Sequence, residues 1–268
     1  MQVSELEGRY SVEDVGRIYT NQDDLWLPSV STVLDVRETP DALRRWKKRT
    51  DDPEAVLAYK QDFGTIAHAE LLQNVIDEYP SGTDETLWGK DEDASRAGLK
   101  ERGEWKRCQD DLAVLDSMWT LCKEVMPIGY IHDVETFVIE TDIGYGGQFD
   151  LLYEDTDSGE TVLADLKTSK GVYEKHLMQL SAYRMAVPIN VDRMEVIRLN
   201  PEREDWRVFP DTEWTQCPSD LAAEFINLRA ELERTHLKTI IETVQEHDGA
   251  SSDELQSREG VMYEPVSF

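Results

Sequence analysis

Two acids and a lysine in a β-rich stretch have the types and spacing needed for metal-assisted hydrolysis. Gly147-Gln148-Phe149-Asp150 is followed, after a polar turn, by Asp165-Leu166-Lys167. Because side chains at i and i+2 of a strand share a face, Asp165 and Lys167 are predicted to point the same way, with Leu166 on the opposite face. Asp150 is predicted on the neighbouring strand, so the two carboxylates converge if these strands pair.

Two converging carboxylates suit a hard divalent cation such as Mg²⁺ or Mn²⁺, which keeps some waters and accepts phosphate oxygens as further ligands. A lysine beside that cation can lower the pKa of the attacking water, or stabilise the extra negative charge on the phosphate. Gly147 is predicted to let a phosphate or a cation approach the backbone closely. The chemistry that this stretch predicts is metal-assisted attack of water on a phosphate.

An acid two places before a lysine also arises by chance, because 31% of the residues are charged. Glu104-Trp105-Lys106 is such a rival, but its context is helical, where i and i+2 do not face each other. For Asp165 and Lys167 themselves, the alternative interpretation is a simple ion pair that contributes little.

Further polar residues flank this stretch. Gln179 and Tyr183 lie four apart on a predicted helix and therefore share a face, although both could be ordinary helix residues. Glu135 is predicted on the strand before Asp150, and the nearby Glu140 and Asp142 are alternatives to it.

An early helical stripe contains a histidine. His68, Leu71, Leu72, Val75 and Tyr79 fall at i, i+3, i+4, i+7 and i+11. A lone histidine on an apolar stripe is usually a core residue, so His68 is a metal ligand only if the fold brings it to the acids.

In chain order, these residues resemble the RecB-type branch of the PD-(D/E)xK nucleases, which includes RecB and AddB nuclease domains, Cas4 proteins and phage-type exonucleases. The matching pattern is Gly64-x-x-x-His68, Glu135, Gly147-x-x-Asp150, Asp165-x-Lys167 and Gln179-x-x-x-Tyr183. Upstream, residues 27–34 and Trp46 are similar to phage and mitochondrial genome-maintenance exonucleases. The resemblance spans about residues 26–187.

The resemblance implies a role for each matching residue. The implied metal ligands are His68, Asp150, Asp165 and the backbone carbonyl of Leu166. Lys167 is implied as the catalytic lysine, Gln179 and Tyr183 as residues that position the water, the lysine or the DNA backbone, and Glu135 as support for the metal site. Mg²⁺ or Mn²⁺ is the implied cofactor.

The chain departs from Cas4 and AddB because it lacks their four cysteines. It contains only Cys108, Cys122 and Cys217, so no four-cysteine iron–sulfur cluster is expected. The scattered, odd number of thiols also indicates a reducing compartment.

The activity implied is that of a metal-dependent deoxyribonuclease that leaves 5′-phosphate ends. A stand-alone exonuclease on linear or single-stranded DNA in replication, recombination or repair is the first interpretation, with a recombinase or single-strand-binding protein as a candidate partner. The alternatives are a structure-selective endonuclease and a non-catalytic DNA-binding or assembly protein that retains the fold. The complete acid–acid–lysine set argues against the last, and the oligomeric state stays open.

The charge of the chain is unusual for a protein that binds DNA. The net charge is −28 and the isoelectric point is about 4.4, with 11 lysines against 17 arginines. Either the protein avoids polyanions, or it works in concentrated salt, where acidic surfaces are common. We favour the second, and expect a cytoplasmic protein of a halophilic archaeon or its virus. No apolar run is long enough for a membrane span, and no signal peptide is visible.

The elements that must position these residues follow from periodicity and turn signals. An exposed arm (1–24) precedes short helices near 29–34 and 39–46, and a long helix at 53–80. A loop or mobile insertion (80–103), a helix (104–126), a three-strand antiparallel meander, a helix (173–187), two further strands and a helix (219–247) follow.

This order predicts an α+β (α/β) fold with a restriction-endonuclease-like core, in which helices flank a central mixed sheet and an N-terminal helical clasp is added. We expect a single domain with four parts. Residues 1–130 form the arm and helical region that contributes His68, 131–215 the nuclease core, 216–248 a C-terminal helix, and 249–268 a flexible tail.

Overall fold

The computed structural model describes residues 6–12, 16–21, 25–37, 41–82, 87 and 89–248. The tail predicted for residues 249–268 lies outside the described residues, as does residue 39, where the second short helix was predicted to begin.

A five-stranded mixed sheet forms the centre of the fold. Its strands are β4 (Ile128–Glu140), β5 (Tyr145–Asp155), β6 (Thr161–Lys167), β7 (Arg193–Asn200) and β8 (Asp205–Pro210), in that spatial order. The β4–β5–β6 meander is antiparallel, as predicted. β7 lies parallel to β6 because helix α6 (Glu174–Ala186) crosses over between them. A short 3₁₀ helix (Asp211–Glu213) follows β8.

Helices cover both faces of this sheet. On one face, α3 (Pro53–Glu78) and α5 (Trp105–Val125) bury side chains such as Ile66, Leu72 and Trp119 against the inward residues of the strands. On the other face, α6 packs with α1 (Val30–Leu34) and α7 (Pro218–Thr235). The predicted fold class, an α+β restriction-endonuclease-like core with a mixed sheet flanked by helices, is confirmed.

The prediction of an exposed N-terminal arm is wrong. Residues Leu6–Val12 (β1) and Gly16–Asn21 (β2) pair with Trp26–Pro28 (β3) in a second, three-stranded sheet. Ile18 and Tyr19 are 0% and 2% exposed, because β2 packs against α1 and the central sheet. Polar composition misled the prediction, since alternating residues of a hairpin point outward.

The loop predicted for residues 80–103 is also corrected. Lys90–Glu101 forms helix α4, which packs on α3 and buries Leu99. Most of its residues are polar or charged, and this composition led to the prediction of a loop.

The single helix predicted for 219–247 is divided into α7 and α8 (Leu237–Asp248), and the break lies at His236. The other early helix, α2 (Asp41–Lys47), follows α1. Within the part of the chain that the structure describes, no helix is both long and apolar enough to cross a bilayer.

Candidate metal centre and catalytic site

The site forms where strands β5 and β6 separate. Their ladder ends at the pair Leu151–Ala164. Asp150 is the next residue beyond this pair on β5, and Asp165 is the next residue beyond it on β6. Beyond that point, the Leu166 N–H donates to Asp150 Oδ2 at 2.6 Å instead of to a β5 carbonyl. The carbonyl oxygen of a strand residue points to the same edge as its N–H, so the Leu166 carbonyl faces this gap too.

Three side chains from three elements meet beside this gap. His68 on α3 places its Nδ1 3.4 Å from Glu135 Oε1 and 3.6 Å from Asp150 Oδ2. One potential ligand atom from each of His68, Glu135 and Asp150 lies within 4.8 Å of the other two. These residues are the right types, and are close enough, to hold one cation together.

Asp165 and Lys167 complete the centre from β6. Lys167 Nζ donates to Asp165 Oδ1 at 2.8 Å, so the two side chains share a face as the spacing predicts. Leu166 points into the opposite core. Asp165 is 1% exposed, and its second oxygen, Oδ2, has no hydrogen-bond partner among the described residues. A buried carboxylate oxygen without a partner is costly, and a bound cation would satisfy it.

The electrostatics of the two aspartates differ although they are neighbours. Burial raises the pKa of Asp165, and the charge of Asp150 raises it further against the opposing effect of Lys167. Burial would also raise the pKa of Asp150, but His68, Lys167 and the Leu166 N–H outweigh it and hold that pKa below its usual value. The positive charge of Lys167 therefore does not offset the effect of burial on Asp165, and a divalent cation would supply the charge that is still needed.

The two basic groups are held charged by the acids around them. Burial disfavours the cationic form of His68, but Asp150 and Glu135 outweigh it and raise its pKa to about 10. Burial likewise opposes protonation of Lys167, and Asp165 and Asp150 raise its pKa. A metal ion at the acids would reverse the balance at His68, because its positive charge would compete with the imidazole proton.

Glu135 has an uncommon backbone conformation. Its φ is +49°, in the left-handed region, although it lies inside β4. The Gln148 side chain on β5 donates from Nε2 to the Glu135 carbonyl at 2.8 Å and so supports this conformation. Sequence reasoning overlooked Gln148. Its place two residues before Asp150, on the same face of β5, was the available signal.

Gln179 and Tyr183 lie against the same centre. Gln179 Nε2 donates to Tyr183 Oη at 2.9 Å. Burial raises the pKa of the Tyr183 phenol, and the charges of Asp165 and Asp150 raise it further. The role predicted for Gly147 is wrong. A Cβ at Gly147 would overlap the Tyr183 ring and crowd Val30, so this glycine makes room for side-chain packing rather than for a phosphate.

A second residue that sequence reasoning overlooked is His176, one turn before Gln179 on α6. Burial and the charges of Lys167 and Lys175 lower its pKa to about 3, so its imidazole is neutral at ordinary pH. Its spacing of three from Gln179 and seven from Tyr183 places it on their helix face.

The rival pattern lies elsewhere. Lys106 is exposed on α5 and pairs with Asp110, while Glu104 pairs with Arg102.

All the residues proposed for the site from sequence do come together: His68, Glu135, Asp150, Asp165, Leu166, Lys167, Gln179 and Tyr183.

Comparisons with known proteins identify the family to which this chain belongs. A family model described as the PD-(D/E)XK nuclease superfamily matches residues 41–253, a range that includes the whole site. No curated protein matches the sequence at a significant level. One solved structure, described as "Crystal structure of SSO0001", shares 16% identity, with 62% of this chain and 82% of that chain covered and a TM-score of 0.30.

Proposed function

Because the chain belongs to the PD-(D/E)XK nuclease superfamily, we propose that it hydrolyses DNA phosphodiesters with Mg²⁺ or Mn²⁺. His68, Asp150, Asp165 and the Leu166 carbonyl would hold the cation, and Glu135 would support it.

One observation carries this proposal: the buried Oδ2 atom of Asp165 has no hydrogen-bond partner in the described part of the chain and belongs to a site of hard carboxylate oxygens. Oxygen ligands of this type suit Mg²⁺ and Mn²⁺ rather than a soft metal. The cation would supply Lewis-acid chemistry at the phosphate.

The other side chains of the centre have separate roles in the proposed reaction. Lys167 is held protonated, so its ammonium can stabilise the negative charge that grows on the phosphate oxygens in the transition state. Asp165 fixes the direction of that ammonium through the hydrogen bond at 2.8 Å. Gln179 and Tyr183 are linked by their own hydrogen bond and form a wall that orients the reacting groups.

We further propose exonuclease action on linear or single-stranded DNA, in replication, recombination or repair. The support is the order of motifs from residue 27 to residue 183, which resembles phage-type and mitochondrial genome-maintenance exonucleases. The net charge of −28 supports the proposal that the enzyme works in concentrated salt, as in a halophilic archaeon or its virus.

The test compares end-labelled linear DNA with a closed circle of the same sequence, in KCl with Mg²⁺, Mn²⁺ or a chelator. We expect the linear DNA to be degraded with either metal, the circle to survive, and the chelator to stop the reaction. Lys167→Ala is expected to lower kcat at least about 100-fold. Lys170→Ala is the matched control, because Lys170 is 53% exposed and pairs with Glu202.

Each outcome decides one part of the proposal. Cleavage of the circle would favour the endonuclease alternative over the exonuclease. Activity that survives both chelation and Lys167→Ala would refute the mechanism. DNA binding without any metal-dependent cleavage would leave the non-catalytic alternative.

A further inference from the structure

Cationic side chains are concentrated in one short segment of this acidic chain. Residues 44–49, here called the basic segment, contain Arg44, Arg45, Lys47, Lys48 and Arg49, which are five of the 28 lysines and arginines. No acid lies within the segment, although acids outnumber bases two to one in the whole chain, 56 against 28. The segment comprises the end of α2 and the turn that follows it.

Three cations of the basic segment are available to a ligand. Arg45, Lys48 and Arg49 are exposed, and none of them forms an ion pair or a side-chain hydrogen bond within the ranges that the structure describes. Most other cations are neutralised by acids, as Lys60 is by Glu202 and Lys175 by Asp35. The segment is therefore a local exception to the acidic surface.

One end of the chain around this segment is fixed at the rim of the catalytic site. Asp35 and Arg37, nine and seven residues before Arg44, pair with the start of α6: Lys175 Nζ lies 2.5 Å from Asp35 Oδ1, and Arg37 Nη2 lies 3.2 Å from Glu174 Oε1. Glu174 and Lys175 are the first residues of α6, the helix that contains Gln179 and Tyr183.

The other end leads into α3 above the same site. A Cβ at Gly64 would lie 3.9 Å from Thr168 Oγ1, so this part of α3 is level with the residue after Lys167. His68 lies further along α3, and the helix start therefore projects past the end of β6. The twelve residues from Asp52 to Gly64 extend about 18 Å at 1.5 Å per residue.

We propose that the basic segment binds the phosphate backbone of the DNA substrate on one side of the scissile bond. The inference rests on the proposed nuclease function and adds the surface that holds its substrate. At 3.4 Å per base pair, the part of α3 between Asp52 and Gly64 is about as long as five base pairs. Exposed, unpaired guanidinium and ammonium groups are the chemistry that phosphate oxygens require.

The experiment measures the salt dependence of DNA binding. Arg45→Gln/Lys48→Gln/Arg49→Gln is compared with wild type by fluorescence anisotropy of a labelled strand and duplex, with a chelator to prevent cleavage. Each lost phosphate contact should lower the slope of log K against log salt by about 0.7 to 0.9, so the triple variant should lose about 2 to 3 units. At about 0.1 M KCl this corresponds to an affinity about 100-fold weaker or more.

A matched control removes the same charge from another surface. Lys106→Gln/Arg234→Gln/Lys238→Gln also lowers the net charge by three from −28, and these side chains lie on α5, α7 and α8. Its slope should change by less than about 0.5 unit. Equal slopes for the two triple variants would overturn the proposal. If the basic-segment triple melts earlier than wild type, the three single variants replace it, and each should lose about 0.7 to 0.9 unit.

A small substrate separates this inference from the proposed function. The p-nitrophenyl ester of thymidine 5′-phosphate is too short to reach the basic segment, so its metal-dependent hydrolysis should be unchanged in the triple variant. If wild type cleaves DNA and the ester but the slope is unchanged, the inference alone fails. If the slope falls as expected and no substrate is hydrolysed, the nuclease proposal alone fails.

Discussion

Asp150 and Asp165 show how neighbouring residues of one type acquire different properties. Asp150 accepts a backbone N–H and lies beside His68, which lowers its pKa, whereas Asp165 is buried beside another acid, which raises its pKa. The Leu166 N–H reaches Asp150 because β5 and β6 separate at this point. Asp165 Oδ2 has no hydrogen-bond partner among the described residues, so a cation would stabilise the centre most at this atom.

The first residue-scale prediction concerns Gln148. Its amide supports the left-handed conformation of Glu135, a strained position for a residue with a side chain, which costs on the order of 1 to 3 kcal/mol. Gln148→Leu should therefore weaken Mg²⁺ or Mn²⁺ binding by about tenfold or more, as is typical when a group that orients a ligand is lost. Isothermal titration calorimetry measures the change, with the melting temperature as a check on folding.

Gln109→Leu is the matched control for this prediction, because Gln109 is exposed on α5. Its metal affinity should equal that of wild type. An unchanged metal affinity in Gln148→Leu would mean that Glu135 keeps its place without the Gln148 amide.

At the scale of elements, the N-terminal hairpin is part of the folded core. Thr32 on α1 accepts a hydrogen bond from the Arg17 N–H at 2.8 Å and donates to the Arg17 carbonyl at 2.9 Å, which joins α1 to β2. α1 in turn packs on β5 beside Gly147. The hairpin therefore supports the strand that contains Asp150.

We predict that Ile18→Ala lowers the free energy of unfolding by about 3 kcal/mol, because Ile18 is fully buried and its truncation leaves a cavity. Leu25→Ala, at a site that is 43% exposed in the same region, should change it by less than about 0.5 kcal/mol. Urea unfolding compares the two. Similar small effects would indicate that the hairpin contributes little to stability.

The turn between β5 and β6 is held by hydrogen bonds to the Asp155 carboxylate, and these depend on pH. Asp155 accepts hydrogen bonds from Arg193 Nη2 at 2.5 Å and from the Asp157 and Ser158 N–H groups at 2.9 Å. Burial would raise the pKa of Asp155, but Arg193 and these N–H groups outweigh it and lower that pKa. The carboxylate thus stabilises the fold above its unfolded pKa of about 3.9, and this contribution is lost as the pH falls through the lower folded value.

Asp155→Asn should accordingly destabilise the protein by about 2 kcal/mol at neutral pH, and the difference from wild type should shrink at pH values below about 4. Urea unfolding of both proteins at neutral and acid pH measures this. A difference that stays constant with pH would contradict the assigned role of the carboxylate.

At the scale of the whole molecule, the net charge of −28 is the dominant property. Like charges on a compact protein repel each other, and salt screens that repulsion over a Debye length of about 10 Å at 0.1 M. The cations are mostly paired with acids, so screening acts mainly on the excess of carboxylates.

We predict that raising KCl from about 0.1 M to about 2 M increases the melting temperature by at least about 5 °C, or roughly 2 kcal/mol for a chain of this size. Differential scanning calorimetry across the salt series measures the shift. A melting temperature that is constant or falls with KCl would remove the argument for a protein adapted to concentrated salt.

The sequence by itself determined the parts of the site that depend on local backbone geometry. A strand repeats every two residues and a helix every 3.6, so the shared face of Asp165 and Lys167 and that of Gln179 and Tyr183 follow from spacing alone. The same periodicities predicted the meander, the long helix that contains His68, and the fold class. Polar hairpins and strongly charged helices with few apolar residues, such as α4, resemble loops in composition, which is why the predictions for residues 6–12, 16–21 and 90–101 were wrong.

Only the tertiary structure decided what meets across long separations in the sequence. Contacts between elements bring His68 close to Glu135 and Asp150. The Glu135 backbone has a positive φ, and the Tyr183 ring packs against Gly147. Contacts between elements also fix the chain on both sides of the basic segment at the rim of the site. These outcomes depend on how helices and strands pack together, and the spacing of residues within one element does not contain that information.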